Sequence, residues 1–133
     1  MSEATECSRR SLEFILLKVV EAFNTGDVSL VDSLFSTQYI DHQNDKDRPT
    51  EIQFDGPEEF KQIVAGARKH LPNLKVTIED QILDKCKVAA RLRWYSSDGV
   101  TEIDRETIDI LFVADEMGVE HWGAEQWRNE RQF

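Results

Sequence analysis

A chain of 133 residues with 40% apolar and 32% charged side chains supports one domain around one core and leaves no material for a second. Its formal charge of −10, from 26 acidic against 16 basic residues, opposes binding to phosphate backbones, so nucleic acid is excluded as a partner. No apolar run approaches the roughly 20 residues of a membrane helix, and the polar, acidic start Met1-Ser2-Glu3-Ala4-Thr5-Glu6 lacks the basic and apolar regions of a secretory signal. A cytoplasmic location follows by default, with residues 1–7 expected to be disordered.

In chain order, Leu12, Ile15, Leu16, Val19, Val20 and Phe23 recur at three- and four-residue spacing and predict a helix from Ser8 to Phe23. Ser8 or Ser11 can cap its start, and Gly26 can end it in a left-handed conformation. A short helix is expected from Asp27 or Ser29 to Phe35, after which Tyr39-Ile40-Asp41-His42 leaves in extended form. The polar run Gln43 to Thr50 reads as a mobile loop and a candidate lid. Asp55-Gly56-Pro57-Glu58-Glu59 is a strong helix start, because Pro57 sits where no N–H is needed and two glutamates meet the positive helix end. Arg68, Lys69 and His70 suit the negative end of that helix, and Pro72 stops it.

Four strands are expected after Pro72. Leu74, Val76 and Ile78 alternate with polar residues in the first, and Cys86 to Ser96 forms the second, closed by Ser97-Asp98-Gly99. The third and fourth, Glu102 to Val113 and Val119 to Trp127, flank the turn Ala114 to Gly118. Helices gathered first and antiparallel strands gathered last define an α+β domain in which a curved sheet closes over helices.

Alternation lets Asp109, Trp122 and Gln126 project into an enclosed, apolar space, where a polar group needs a partner or a ligand. Asp109 is read either as ion-paired with Arg91 or Arg93 on the neighbouring strand or as a pocket carboxylate. His42 is the leading acid/base candidate, with an exposed or capping histidine as the plainer reading. His121 is read as a strand residue on the face opposite Trp122, and His70 as a helix-end cation. Tyr39, Trp94, Phe112 and Trp122 supply aromatic wall suited to a flat organic ligand. Trp94 is expected to face the helices and Arg91, Arg93 and Tyr95 a partner subunit or solvent. Cys7 and Cys86 have no CxxC spacing and read as two free thiols, with no metal site. Phosphate loops, HExxH and Gly-rich dinucleotide turns are absent from the sequence, so no cofactor is expected.

Five segments in order carry a resemblance: Val19 to Asp27, Tyr39-Ile40-Asp41-His42, Gly56-Pro57-Glu58-Glu59-Phe60, Ile108-Asp109-Ile110 and Val119-Glu120-His121-Trp122-Gly123. Together they resemble the SnoaL-like polyketide cyclases, or ester cyclases, of the nuclear transport factor 2-like superfamily. The resemblance implies a cone-shaped α+β fold, a homodimer and a deep apolar pocket without a cofactor, which in the cyclases holds a polyketide ester and closes a ring by an intramolecular aldol reaction with an acidic residue moving the proton. A small apolar or aromatic carbonyl compound is the ligand expected here. It places His42 and Asp109 as the polar pair of that pocket, with Trp122 as wall. The family's aspartate five residues after the histidine of Glu-His-Trp is here Gln126, an amide that cannot act as a base. A non-catalytic ligand-binding or dimerisation module is therefore the alternative, and an epoxide hydrolase built on an Asp-Arg-Asp grouping is a third reading.

Overall fold

The computed structural model describes residues 7–42 and 55–127, with the side chains of Gln126 and Trp127 outside that description. The expected lid segment, residues 43–50, and the terminal residues 1–6 lie outside the described residues. Helix α1 runs Arg9–Thr25, α2 Val31–Leu34 and α3 Gly56–His70. The strands are β1 Phe35–Asp41, β2 Lys75–Asp84, β3 Lys87–Ser97, β4 Glu102–Ala114 and β5 Met117–Trp127.

Local chemistry sets these ends. Ser8 caps α1 by accepting from the Ser11 N–H at 3.0 Å, and Gly26 closes it at φ 82°. Arg68 of α3 donates to the Phe23 carbonyl at 2.9 Å, which satisfies a carbonyl in the last turn of α1 and ties the two helices together. The short helix stops earlier than the sequence suggested. Phe35 already takes extended φ/ψ and begins β1, because its ring is needed against Tyr39 and Phe60 in the core.

The sheet order is β1-β5-β4-β3-β2. Four strands form an antiparallel meander, and β1 joins its β5 edge in parallel. At the opposite edge, the Asn24 side chain of α1 mimics a strand: it donates to the Val76 carbonyl at 2.9 Å and accepts from the Val76 N–H at 2.7 Å. The core between helices and sheet is built from Leu12, Ile15, Phe23, Phe35, Tyr39, Phe60, Val64, Val76, Val88 and Leu92, all buried.

A bulge in the β4–β5 ladder fixes what the sheet shows to that core. Val113 pairs with Gly118, but Phe112 pairs with Glu120, so Val119 is an extra residue. Beyond it, Leu111 lies opposite His121, Asp109 opposite Gly123 and Thr107 opposite Glu125. A one-residue shift turns every later side chain of β5 to the other face.

Cys7 and Cys86 are disulfide-bonded with Cα atoms 5.1 Å apart, which overturns the reading of two free thiols. Folding brings the start of α1 onto the β2–β3 turn across 79 residues of sequence, a proximity that spacing alone cannot reveal. Among the described residues, no helix is long and apolar enough to cross a membrane.

Candidate active site

Between α1, α3 and the inner sheet face lies a cavity of about 600 Å³. Phe23, Phe35, Phe60, Leu92 and Trp94 supply apolar wall, while Asp41, Asp109 and His121 gather at one end. The volume falls within the ~300–1,000 Å³ range of small-molecule sites.

The polar end is one hydrogen-bonded chain. His121 donates from Nε2 to Asp109 Oδ1 at 2.8 Å and from Nδ1 to Asp41 Oδ1 at 3.0 Å. Tyr39 donates to Asp41 Oδ2 at 3.3 Å, and Thr107 donates to Asp109 Oδ2 at 2.7 Å. The Trp94 indole N–H, which can only donate, reaches Thr107 Oγ1 at 2.8 Å and so orients the threonine hydroxyl toward Asp109. Every link thus has a fixed direction, with both carboxylates accepting.

Burial by itself pulls the His121 imidazole down, but the hydrogen bonds to Asp109 and then Asp41 overrule it and push it up to about 9. His121 is an imidazolium at neutral pH, held between two carboxylates. Burial, reinforced by the neighbouring Asp41 charge, raises the Tyr39 phenol far above its ordinary value, so it remains a donor.

Backbone geometry holds this chain in place. Asp55, at the entry to α3, donates its N–H to the Tyr39 carbonyl at 2.8 Å and accepts from the Asp41 N–H at 2.6 Å. Asp55 is thereby clamped beside Asp41.

Several residues singled out in the sequence lie elsewhere. Asp109, Trp94 and Tyr39 line the cavity as expected. Trp122 and Phe112 do not: their rings pack against each other with centroids 4.8 Å apart on the outer sheet face, and Trp122 is 37% exposed. His42 stacks on Trp122 at 4.5 Å and contacts Glu120 at 3.1 Å, outside the cavity lining. The bulge at Val119 is the cause. An unshifted ladder would set Asp109 opposite Trp122, whereas the real one turns His121 and Glu125 inward. The backbone of Gln126 pairs with Glu106, and its side chain lies outside the described residues.

Asp109 is not paired with Arg91 or Arg93. Arg91 binds Glu106 at 2.6 Å and Asp80 at 2.9 Å, while Arg93 binds Asp104 through two bonds of 2.7 and 2.9 Å, all on the outer face. An Asp-Arg-Asp grouping around Asp109 is thus not formed among the described residues. Sequence reasoning missed His121 as the centre of the chain, and with it Asp41, Thr107 and Glu125. The signal available was parity, since His121 and Glu125 share a face that a bulge could turn inward. Among the described residues no cluster of His, Cys, Asp and Glu could hold a metal ion.

A cone of helices on a curved sheet, enclosing an apolar cavity with an ionisable chain at one end, defines the class as a small-molecule-sized site in a nuclear transport factor 2-like fold. The SnoaL-like polyketide cyclase family model matches residues 14–127, and the chain belongs to that family. A protein from Bacillus cereus ATCC 10987 assigned to the polyketide cyclases is 27% identical, with a TM-score of 0.76 over 95% of this chain and 89% of that one. TsrD from Streptomyces laurentii is 18% identical at TM-score 0.74, covering 91% of this chain and 92% of its own. A SnoaL-like polyketide cyclase from Agrobacterium tumefaciens strain C58 is 12% identical at TM-score 0.71, covering 86% and 91%. No functionally curated protein matches the chain.

Proposed function

We propose that this protein is a cofactor-independent acid–base enzyme acting on an apolar carbonyl compound, with Asp109 as the proton carrier. The observation that carries the reading is the Asp41–His121–Asp109 chain set into an apolar cavity wall. Asp41 is nearly sealed, with 6% side-chain exposure, whereas Asp109 keeps 20% and is the carboxylate a ligand can touch. Asp109 removes a proton from carbon next to a carbonyl, and the resulting carbanion attacks a second carbonyl of the same molecule. The new alkoxide then recovers the proton from Asp109, so a ring closes with no cofactor consumed. His121 and Thr107 keep the carboxylate aimed, and the aromatic walls hold the substrate folded with little competing water.

Deuterium exchange at the acidic carbon of an aryl 1,3-diketone in D2O, followed by proton NMR, tests the first step. Catalysed exchange that disappears in Asp109→Asn supports the reading. Exchange that is no faster than buffer, or unchanged in the variant, refutes it. His42 is given no proton-transfer role here, because its stacking on Trp122 keeps it on the outer face.

We also propose a homodimer through that outer face. Ile108 at 49% exposure and Ile110 at 38% adjoin Trp122 there, an apolar patch of a kind that commonly marks an interface.

A further inference from the structure

The end of the cavity opposite the Asp109 chain carries its own charged pair. On β4, Arg105, Thr107 and Asp109 alternate onto the inner face, and all three line the cavity. Four residues of extended strand separate Arg105 from Asp109, about 14 Å at ~3.4 Å per residue. Arg105 donates from Nη1 to Glu125 Oε1 at 2.7 Å. His70, in the last turn of α3, lines the same cavity and is exposed. Side-chain exposure rises from 6% at Asp41 through 20% at Asp109 to 47% at Glu125, so the mouth lies at the Arg105 end.

The two ends differ in the chemistry they offer. At the inner end the donors of Trp94, Thr107, Tyr39 and His121 are each engaged with a neighbour in the chain, leaving carboxylate lone pairs facing the ligand. Toward the mouth stands a guanidinium, with five donors in a fixed fork, whose carboxylate partner is the more exposed member of the pair. A partly exposed ion pair of this kind is held less tightly than a buried one, and a ligand oxygen brought in along the drier apolar wall can replace Glu125. Arg91 and Arg93 cannot take this role, being engaged on the outer face.

We propose that Arg105 is the specificity-determining residue of the cavity and binds a carboxylate or ester oxygen at the end of the ligand remote from the reacting carbon. The ligand class is then an elongated apolar molecule with a proton-yielding group at one end and an oxygen acceptor at the other. Glu125 and the ligand oxygen compete for the guanidinium. The assignment rests on the acid–base reading for the inner end only, and the test isolates the mouth.

Equilibrium binding of three fluorescent compounds provides that test: 6-hydroxy-2-naphthoic acid, its methyl ester and 6-methyl-2-naphthol, which lacks the remote oxygen. Wild type is expected to prefer the acid and the ester over the methyl compound by roughly three- to tenfold, the range of a partly exposed charge-assisted bond. Arg105→Gln should erase the preference, and Glu125→Gln should tighten the acid while leaving 6-methyl-2-naphthol unchanged. The two variants act in opposite directions, so a folding defect cannot mimic the pattern. Equal affinity for all three compounds in wild type, no binding of any, a preference that survives Arg105→Gln, or an acid affinity unmoved by Glu125→Gln overturns the proposal. Failure of the Asp109 exchange experiment alone leaves this comparison intact, because no turnover enters it.

Discussion

Raising the pH should weaken this fold through His121 over a defined window. The imidazole is pushed up to about 9 in the folded chain, against 6.5 unfolded, because its bonds to Asp109 and Asp41 outweigh burial. A group whose folded value is raised contributes its full stabilisation below the unfolded value, since both states then carry the proton. Between 6.5 and 9 the folded state holds a proton that the unfolded state has released, and stability falls as pH climbs. A gap of about 2.5 units at ~1.36 kcal/mol each corresponds to roughly 3 kcal/mol, lost by the time the pH passes 9. Side-chain exposure of 16% leaves little solvent screening to reduce this figure. Urea midpoints measured from pH 6 to 10 on wild type and His121→Gln give the assay, the variant serving to remove this contribution from the slope. The variant should be less stable at pH 6 because two neighbouring carboxylates lose their shared cation, a loss of about 3–5 kcal/mol for a broken buried pair. A histidine NMR titration with its midpoint at or below 6.5, or parallel pH profiles for the two proteins, would refute the reasoning.

The Cys7–Cys86 bond closes a loop across 79 residues, and chain-entropy arguments give it about 4.5 kcal/mol; reductant should lower the urea midpoint accordingly, and the unreduced protein should show no free thiol. Gly118→Ala should cost about 1–3 kcal/mol by thermal melt, since an added Cβ would lie 2.9 Å from the Phe35 ring and 3.2 Å from Leu111 in a packed region. Ile110→Lys should shift analytical ultracentrifugation from dimer toward monomer; a wild type that sediments only as monomer removes the proposed interface.

How far the sequence reached differs between elements. The α1 and α3 stripes, the Ser8 cap, the Gly26 stop and the entry to α3 at Pro57 were legible because helix periodicity and capping are local properties. The β4 and β5 runs were legible as strands, and Asp109, Tyr39 and Trp94 as polar or aromatic residues of the cavity. Trp122 and Phe112 were assigned to the wrong face. Alternation separates Trp122 from His121 but does not say which of them turns inward.

Pattern and composition by themselves determined the α+β class, the helix ends and the acidic charge that opposes phosphate binding, since each depends on neighbours within a few residues or on simple sums. Tertiary structure decided the rest. The unpaired Val119 advances β5 by one residue, which brings His121 between Asp41 and Asp109 and leaves Trp122 outside with His42. Cys7 meets Cys86 only once α1 docks on the sheet. Strand register and distant contacts arise from packing across the whole core, where one residue of slip reverses every side chain beyond it.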